Sequence, residues 1–193
     1  VSLGDPRRAD DALAAARSLR PEPGDFAPYY AGYIEQVPDG DIVATLRAGR
    51  GSMERLLGAV PAEQEGHRYA PGKWSVREVM GHLTDTERVF ASRLVWFARG
   101  DPGPLPGMDQ DAWVEVDSAD ARPLSHHLEE WSVVRSSVVL LLEGLDLAAW
   151  QREGTASGGR FTVRALAWVI AGHARHHERL FVERYGLNSA SPG

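Results

Sequence analysis

Apolar residues recur every three or four positions through four stretches of this 193-residue chain. That is the period of an α-helix with one buried face. Ile42, Leu46, Met53, Leu56 and Val60 mark the first stretch, over about 41–59. Gly49 and Gly51 fall inside it, each costing about 1 kcal/mol against alanine, so they predict a close helix contact. The second stretch carries Val76, Val79, Leu83, Thr86, Phe90, Leu94 and Phe97. It opens on Ser75-Val-Arg-Glu78, a capping box in which serine and glutamate each take an orphan N–H. Gly100-Asp-Pro102-Gly-Pro104 ends it near Arg99. Trp131, Val134, Val138, Leu141 and Leu145 mark a third helix over about 125–145, facing inward. Thr162 is placed to cap a fourth, over about 163–185, which Gly186 stops.

The links between these stretches complete the plan. Residues 100–123 form a connection much longer than the usual ~2–8 residues of a bundle. It predicts a crossover along the bundle or a loop that shapes a site. A short hairpin fits near residues 152–162. An Ala-rich helix fits Asp10 to Arg20, followed by a Pro- and Gly-rich stop. The expected architecture is all-α: a four-helix bundle with a long crossover between helices 2 and 3. Residues 1–37 form a tail that packs on the body through Tyr29, Tyr30 and Tyr33, residues 38–186 the bundle, and 187–193 a C-terminal tail.

Composition narrows the function. The chain is 43% hydrophobic and 25% charged with a formal net charge of −6. This argues against a non-specific grip on nucleic acid or on an anionic membrane, both of which need a basic face. No run nears the roughly 18 apolar residues of a membrane span. No apolar segment follows Arg7 and Arg8, so a secretory signal is not expected and the cytoplasm is the default location. Cysteine is absent, which removes disulfides, thiolate zinc sites and a cysteine nucleophile.

Helix four carries the anomaly. Its seam reads Val163, Leu166, Ile170, His173, His177, Leu180, at spacings of 3, 4, 3, 4 and 3. Two histidines occupy positions where a bundle wants leucine. Four apart, they share one face, the spacing by which a helix offers two ligands to a metal. A single core histidine is more often hydrogen-bonded structure, but two in adjacent layers each need a partner. His176 lies off the seam. For a third ligand, His82 on helix two and His127 at the start of helix three both fit, with His82 slightly ahead; His67 lies in a loop and His126 points away.

Three separated motifs carry a family resemblance. They are Lys73-Trp-Ser-Val-Arg-Glu-Val-Met-Gly-His82-Leu-Thr-Asp-Thr-Glu-Arg88, Gly107-Met-Asp-Gln-Asp-Ala-Trp113, and Thr162 through His177. Over residues 28–186 the chain resembles the DinB-like (YfiT-type) superfamily. The resemblance implies a four-helix bundle and a divalent metal held by His82, His173 and His177. That set would be all imidazole and neutral, fitting Zn²⁺ or Ni²⁺. With only three protein ligands it would be an open, catalytic type of site. Asp85, one turn after His82, could orient a ring N–H. Asp109, Gln110 and Asp111 in the crossover could roof the site. Arg88 and Arg93 could offer an anion contact, with a solvated face as the default. Glu178 should point away, and Trp74 should staple the first turn of helix two. The resemblance further implies an enzyme acting on a small-molecule substrate, either a hydrolase or a transferase using a low-molecular-weight thiol, in a homodimer. A non-catalytic, metal-stabilised stress-response dimer is the alternative.

Overall fold

The computed structural model describes residues 6–188. The outer parts of both expected tails, residues 1–5 and 189–193, lie outside the described residues. In chain order the elements are α1 (Pro6–Ser18), α2 (Ala31–Ile34), α3 (Ile42–Gly58), α4 (Val76–Ala98), α5 (Gln110–Asp117), α6 (Leu124–Glu143), α7 (Leu147–Gln151), β1 (Glu153–Ala156), β2 (Gly159–Thr162) and α8 (Val163–Glu183). The four long helices α3, α4, α6 and α8 match the four apolar stretches, and their ends agree within two residues. The two expected caps, of α4 and α8, are present. Ser75 Oγ accepts from the Glu78 amide at 3.1 Å while the Ser75 amide donates to Glu78 at 2.7 Å. Thr162 Oγ1 accepts from the Ala165 amide at 3.1 Å. Among the described residues no helix is long and apolar enough to cross a membrane.

The bundle core is split in two. One cluster joins Ile42 and Leu46 of α3, Phe90 and Leu94 of α4, Val138 and Leu142 of α6, and Val163 and Leu166 of α8. The other joins Met53 and Leu56 of α3, Val79 and Leu83 of α4, Leu124 and Trp131 of α6, and Ala174 and Phe181 of α8. The order of entry fixes direction: α3 and α8 run one way, α4 and α6 the other. The packed pairs α3–α6, α6–α4, α4–α8 and α8–α3 close the ring. Because α4 and α6 are parallel neighbours, their link must travel back along the bundle. For the 23-residue α4 that is about 35 Å, which is why the crossover is long.

On the way the crossover folds α5, capped by Asp109 accepting from the Ala112 amide at 3.1 Å. It also joins the β1–β2 hairpin: the Leu105 amide donates to the Thr155 carbonyl at 2.9 Å, and the Thr155 amide to the Pro102 carbonyl at 2.8 Å. The hairpin itself pairs Glu153 with Thr162 and Ala156 with Gly159, antiparallel.

A polar layer lies between the two clusters. Thr86 and Glu87 of α4, Arg135 of α6 and His173 of α8 are all buried there. This corrects the expected face of the third helix. Arg135 and Leu142 are buried whereas Val134 and Leu141 are only half-buried. The helix is turned so that the Arg135 guanidinium grips the Glu87 carboxylate through Nε and Nη2, the latter at 2.8 Å. Gly49 lies beside it: a Cβ there would stand 3.7 Å from Arg135 Nη1, an ordinary contact. Gly51 does not mediate a helix contact; its nearest neighbour is Arg55 of the same helix.

The N-terminal segment closes one side. Helix α2 packs on α8, with Gly172 directly beneath Tyr33. A Cβ on Gly172 would stand 2.1 Å from the Tyr33 carbonyl oxygen and 2.5 Å from its carbon. Backbone cannot yield there as a side-chain tip could. Gly172→Ala is therefore expected to cost at least the ~1–3 kcal/mol of an overpacked core, read as a lower urea midpoint at unchanged m-value.

Candidate metal centre

His82 comes from the second turn of α4, and His173 and His177 come from adjacent turns of α8. Helices α4 and α8 are packed neighbours, so the three rings meet across one interface. One nitrogen or more of each lies within 4.8 Å of the others', and the ring centroids are 4.7–5.1 Å apart. Nε2 of His82 stands 3.1 Å from Nε2 of His173. All three side chains are buried.

These rings are kept neutral. Burial lowers the His82 pKa to about 4, with the nearby His176 ring adding to the effect. Burial also drives His173 and His177 well below the usual imidazole range, helped by mutual repulsion within the cluster. A neutral imidazole is the form that offers a lone pair to a metal. Its folded pKa lies below the unfolded value near 6.5, so the unfolded chain binds more protons in acid. The stability of the metal-free protein should therefore be full above pH 6.5 and fall as pH drops through about 4. His82 alone accounts for about 3 kcal/mol of that loss. Thermal unfolding at pH 7, 6 and 5 tests this, because carboxylates titrate mostly below that range. A melting temperature unchanged between pH 7 and 5 would sink it.

The surroundings orient the rings. Thr86 Oγ1 lies 3.3 Å from His82 Nδ1; in the tautomer whose Nε2 lone pair is free for an ion, Nδ1–H donates to that hydroxyl. Trp74 lies against His82, with ring centroids 4.9 Å apart, and Tyr33 meets His173 edge-on at 5.4 Å. The Tyr185 hydroxyl holds the Trp74 carbonyl at 2.7 Å. His177 Nδ1 is buried without a hydrogen-bond partner, which costs about 1–3 kcal/mol unless something takes it up.

The donor set suits a metal ion. Nitrogens about 2.0–2.1 Å from a shared ion stand roughly 2.9–3.4 Å apart at right-angled to tetrahedral geometry. The 3.1 Å between the two Nε2 atoms lies in that interval. Three neutral imidazoles leave the ion its full charge and leave positions open for other ligands.

The other expected site residues divide. His127 is buried elsewhere, its Nε2 2.9 Å from the Ala119 carbonyl oxygen, and it takes no place in the cluster. Asp85 turns to Arg88, at 3.4 Å; the group beside the His82 ring nitrogen is Thr86, one residue on and closer to the bundle interior. Asp109 caps α5, and Asp111 is exposed. Glu178 is half-buried and accepts from Ser52 Oγ. Gln110 does reach the neighbourhood: with Gly107 and Met108 of the crossover it lines a cavity of about 270 Å³ that His173 also walls. Arg93, Thr86, Val89, Phe90, Ser157 and the tyrosines 29, 30 and 33 complete it. Larger grooves, of about 800 and 770 Å³, lie on outer faces of the bundle and touch none of the three histidines. Sequence reading passed over Thr86 as a ligand-orienting group and gave Tyr30 and Tyr33 no role at a site. Thr86 sits one turn after His82 on the same stripe, which was a readable signal. The tyrosines arrive through tertiary packing alone.

Fold and centre together define a class: a helical bundle with a buried, open-sided trio of histidines able to take a metal ion. The chain belongs to the DinB superfamily, whose sequence profile matches residues 45–180. It is 26% identical over 150 residues to a Geobacillus kaustophilus (strain HTA426) protein named "Putative metal-dependent hydrolase", covering 74% of this chain and 83% of that one. It is 22% identical over 137 residues to a Geobacillus thermodenitrificans (strain NG80-2) protein of the same name, covering 70% and 77%. Its fold is similar to that of YfiT from Bacillus subtilis, described as "a probable metal-dependent hydrolase with an unusual four-helix bundle topology". That match has a TM-score of 0.68 at 18% identity, over 76% of this chain and 87% of YfiT. It is also similar to the mycothiol-dependent maleylpyruvate isomerase, with a TM-score of 0.65 at 12% identity, over 81% of this chain and 64% of the isomerase.

Proposed function

We propose that this chain is a metal-dependent enzyme holding one divalent ion, zinc or nickel, on His82, His173 and His177, and acting on a small molecule in the adjoining cavity. The observation that carries this reading is the convergence of three buried, neutral imidazoles beside a cavity walled by one of them. The names of the Geobacillus relatives support the hydrolytic form, and the thiol-dependent isomerase of similar fold supports a thiol-using form. A bound ion of this kind acts as a Lewis acid and lowers the pKa of a water or thiol that ligates it.

The chain's own groups do the rest. Thr86 holds the His82 tautomer. Trp74 and Tyr33 fix the planes of the His82 and His173 rings. Burial raises the Tyr30 and Tyr33 phenols above their usual range, in Tyr30 against the pull of Arg93, so both stay protonated. They are hydrogen-bond donors at neutral pH, not bases. The crossover and the hairpin supply one wall of the cavity through Gly107, Met108, Gln110 and Ser157.

The test is turnover with and without metal. Zinc-loaded protein is expected either to join a low-molecular-weight thiol to an electrophile such as a haloalkyl aromatic, or to cleave an activated ester or amide. Chelation should return both to background. One bound equivalent of metal with neither activity would refute the enzymatic reading and leave the ion a structural role.

A further inference from the structure

The cavity beside the histidines contains a cation with no anion. Arg93 is 3% exposed, yet among the described residues it forms no ion pair. Its Nη2 donates to the Pro106 carbonyl at 3.0 Å and to Ser157 Oγ at 2.7 Å. Its Nε has no partner at all. The guanidinium carbon lies 5.3 Å from the Phe90 ring centroid, so an aromatic face is its other support. Arg135, the comparable buried arginine of this chain, is neutralised by Glu87. A guanidinium cannot escape its charge by losing a proton, and burying a charge without a counter-ion is costly. Two neutral oxygens, with the neutral Tyr30 hydroxyl beside them, do not discharge it.

We infer that Arg93 is a substrate-binding residue and that the cavity takes a small organic acid, its carboxylate on the Arg93 guanidinium and its reacting end toward His173. This rests on the proposed metal centre only for which end of the ligand reacts. The size fits: about 270 Å³ is below the ~300–1,000 Å³ usual for drug-sized ligands. The walls fit as well. Phe90 and the tyrosines take an apolar or aromatic body, and Gln110 adds a neutral polar contact. Arg93 also holds the crossover at Pro106 and the hairpin turn at Ser157, beside the Gly107, Met108 and Ser157 wall of the cavity.

Calorimetric titration of the metal-free protein tests this without any contribution from coordination. The probes are phenylacetate, 3-phenylpropanoate and 4-phenylbutanoate, each against its neutral amide, with phenyl phosphate as a rival oxyanion. At least one acid is expected to bind roughly ten- to a hundredfold tighter than its amide, the gain of a charge-assisted hydrogen bond. Arg93→Met should abolish the preference and Arg93→Lys should keep part of it, each variant serving as its own folding control because acid and amide are compared on the same protein. His127→Ala, which touches neither the cavity nor the histidine cluster, should leave the preference intact. Equal binding of acid and amide, no binding of any acid at millimolar concentration, a preference for phenyl phosphate, or a preference that survives Arg93→Met would each overturn the inference. Failure of the metal centre would show separately, as wild-type protein that takes up no zinc.

Discussion

His173→Ala is expected to lose divalent-metal binding altogether under conditions in which the wild type takes up one equivalent of zinc. Removing a ligand should cost more than the ~10–100-fold that follows loss of a group merely orienting one. His173 is the ring to remove because its Nε2 faces Nε2 of His82 at 3.1 Å and because it also walls the cavity. Elemental analysis of protein purified without a nickel resin, together with zinc calorimetry, gives the answer. Stability supplies a second readout. Zinc at a hundred times its dissociation constant should add about 2.7 kcal/mol to the wild type and nothing to the variant. His127→Ala is the control, since His127 bonds to the Ala119 carbonyl instead, and its metal uptake should be unchanged. Full zinc uptake by His173→Ala would remove the basis for the proposed chemistry.

The second large effect lies beside the centre. Glu87→Ala should destabilise the fold by about 3–5 kcal/mol, because it leaves Arg135 buried without its partner. The Arg135 guanidinium lies over the Trp131 ring at 4.7 Å and reaches the Leu46 carbonyl at 3.4 Å, but neither neutralises a charge. Glu87→Leu combined with Arg135→Met should recover most of the loss and could exceed the wild type, since paired charges in an interior often cost as much as they return. Urea midpoints of Glu87→Leu, Arg135→Met and the double variant form the cycle that measures it. Additive losses in the double variant would show that the pair is not the source of the effect.

The buried pair also marks the limit of reading along the chain. The four long helices, the caps of α4 and α8 and the hairpin were legible, because each depends on residues within a few turns: a 3-4 apolar period, a Ser-to-Glu capping box, a Thr before an apolar run. The histidine seam was legible for the same reason, since His173 and His177 break the apolar run of α8 at helical spacing. The facing of α6 was not. Val134 and Leu141 satisfy the period as well as Arg135 and Leu142 do, and only Glu87, 48 residues away, makes the arginine the buried choice. Asp85 was likewise a reasonable partner for His82 on spacing alone; the turn of α4 gives that place to Thr86.

Local order is what the sequence by itself determined: where the four long helices begin and end, and which two histidines share a face; the short helices α2, α5 and α7 carry too few turns to show a period. The choice of His82 over His127 from the residues alone was nearly even, and came from family resemblance. Tertiary structure decided the direction of α6, the return path of the crossover and the meeting of Tyr30, Tyr33, Gln110 and Arg93 around one cavity. Periodicity reports only that a residue faces an interior. Which residue it meets there depends on helix order and direction, and those are set by contacts between segments dozens of residues apart.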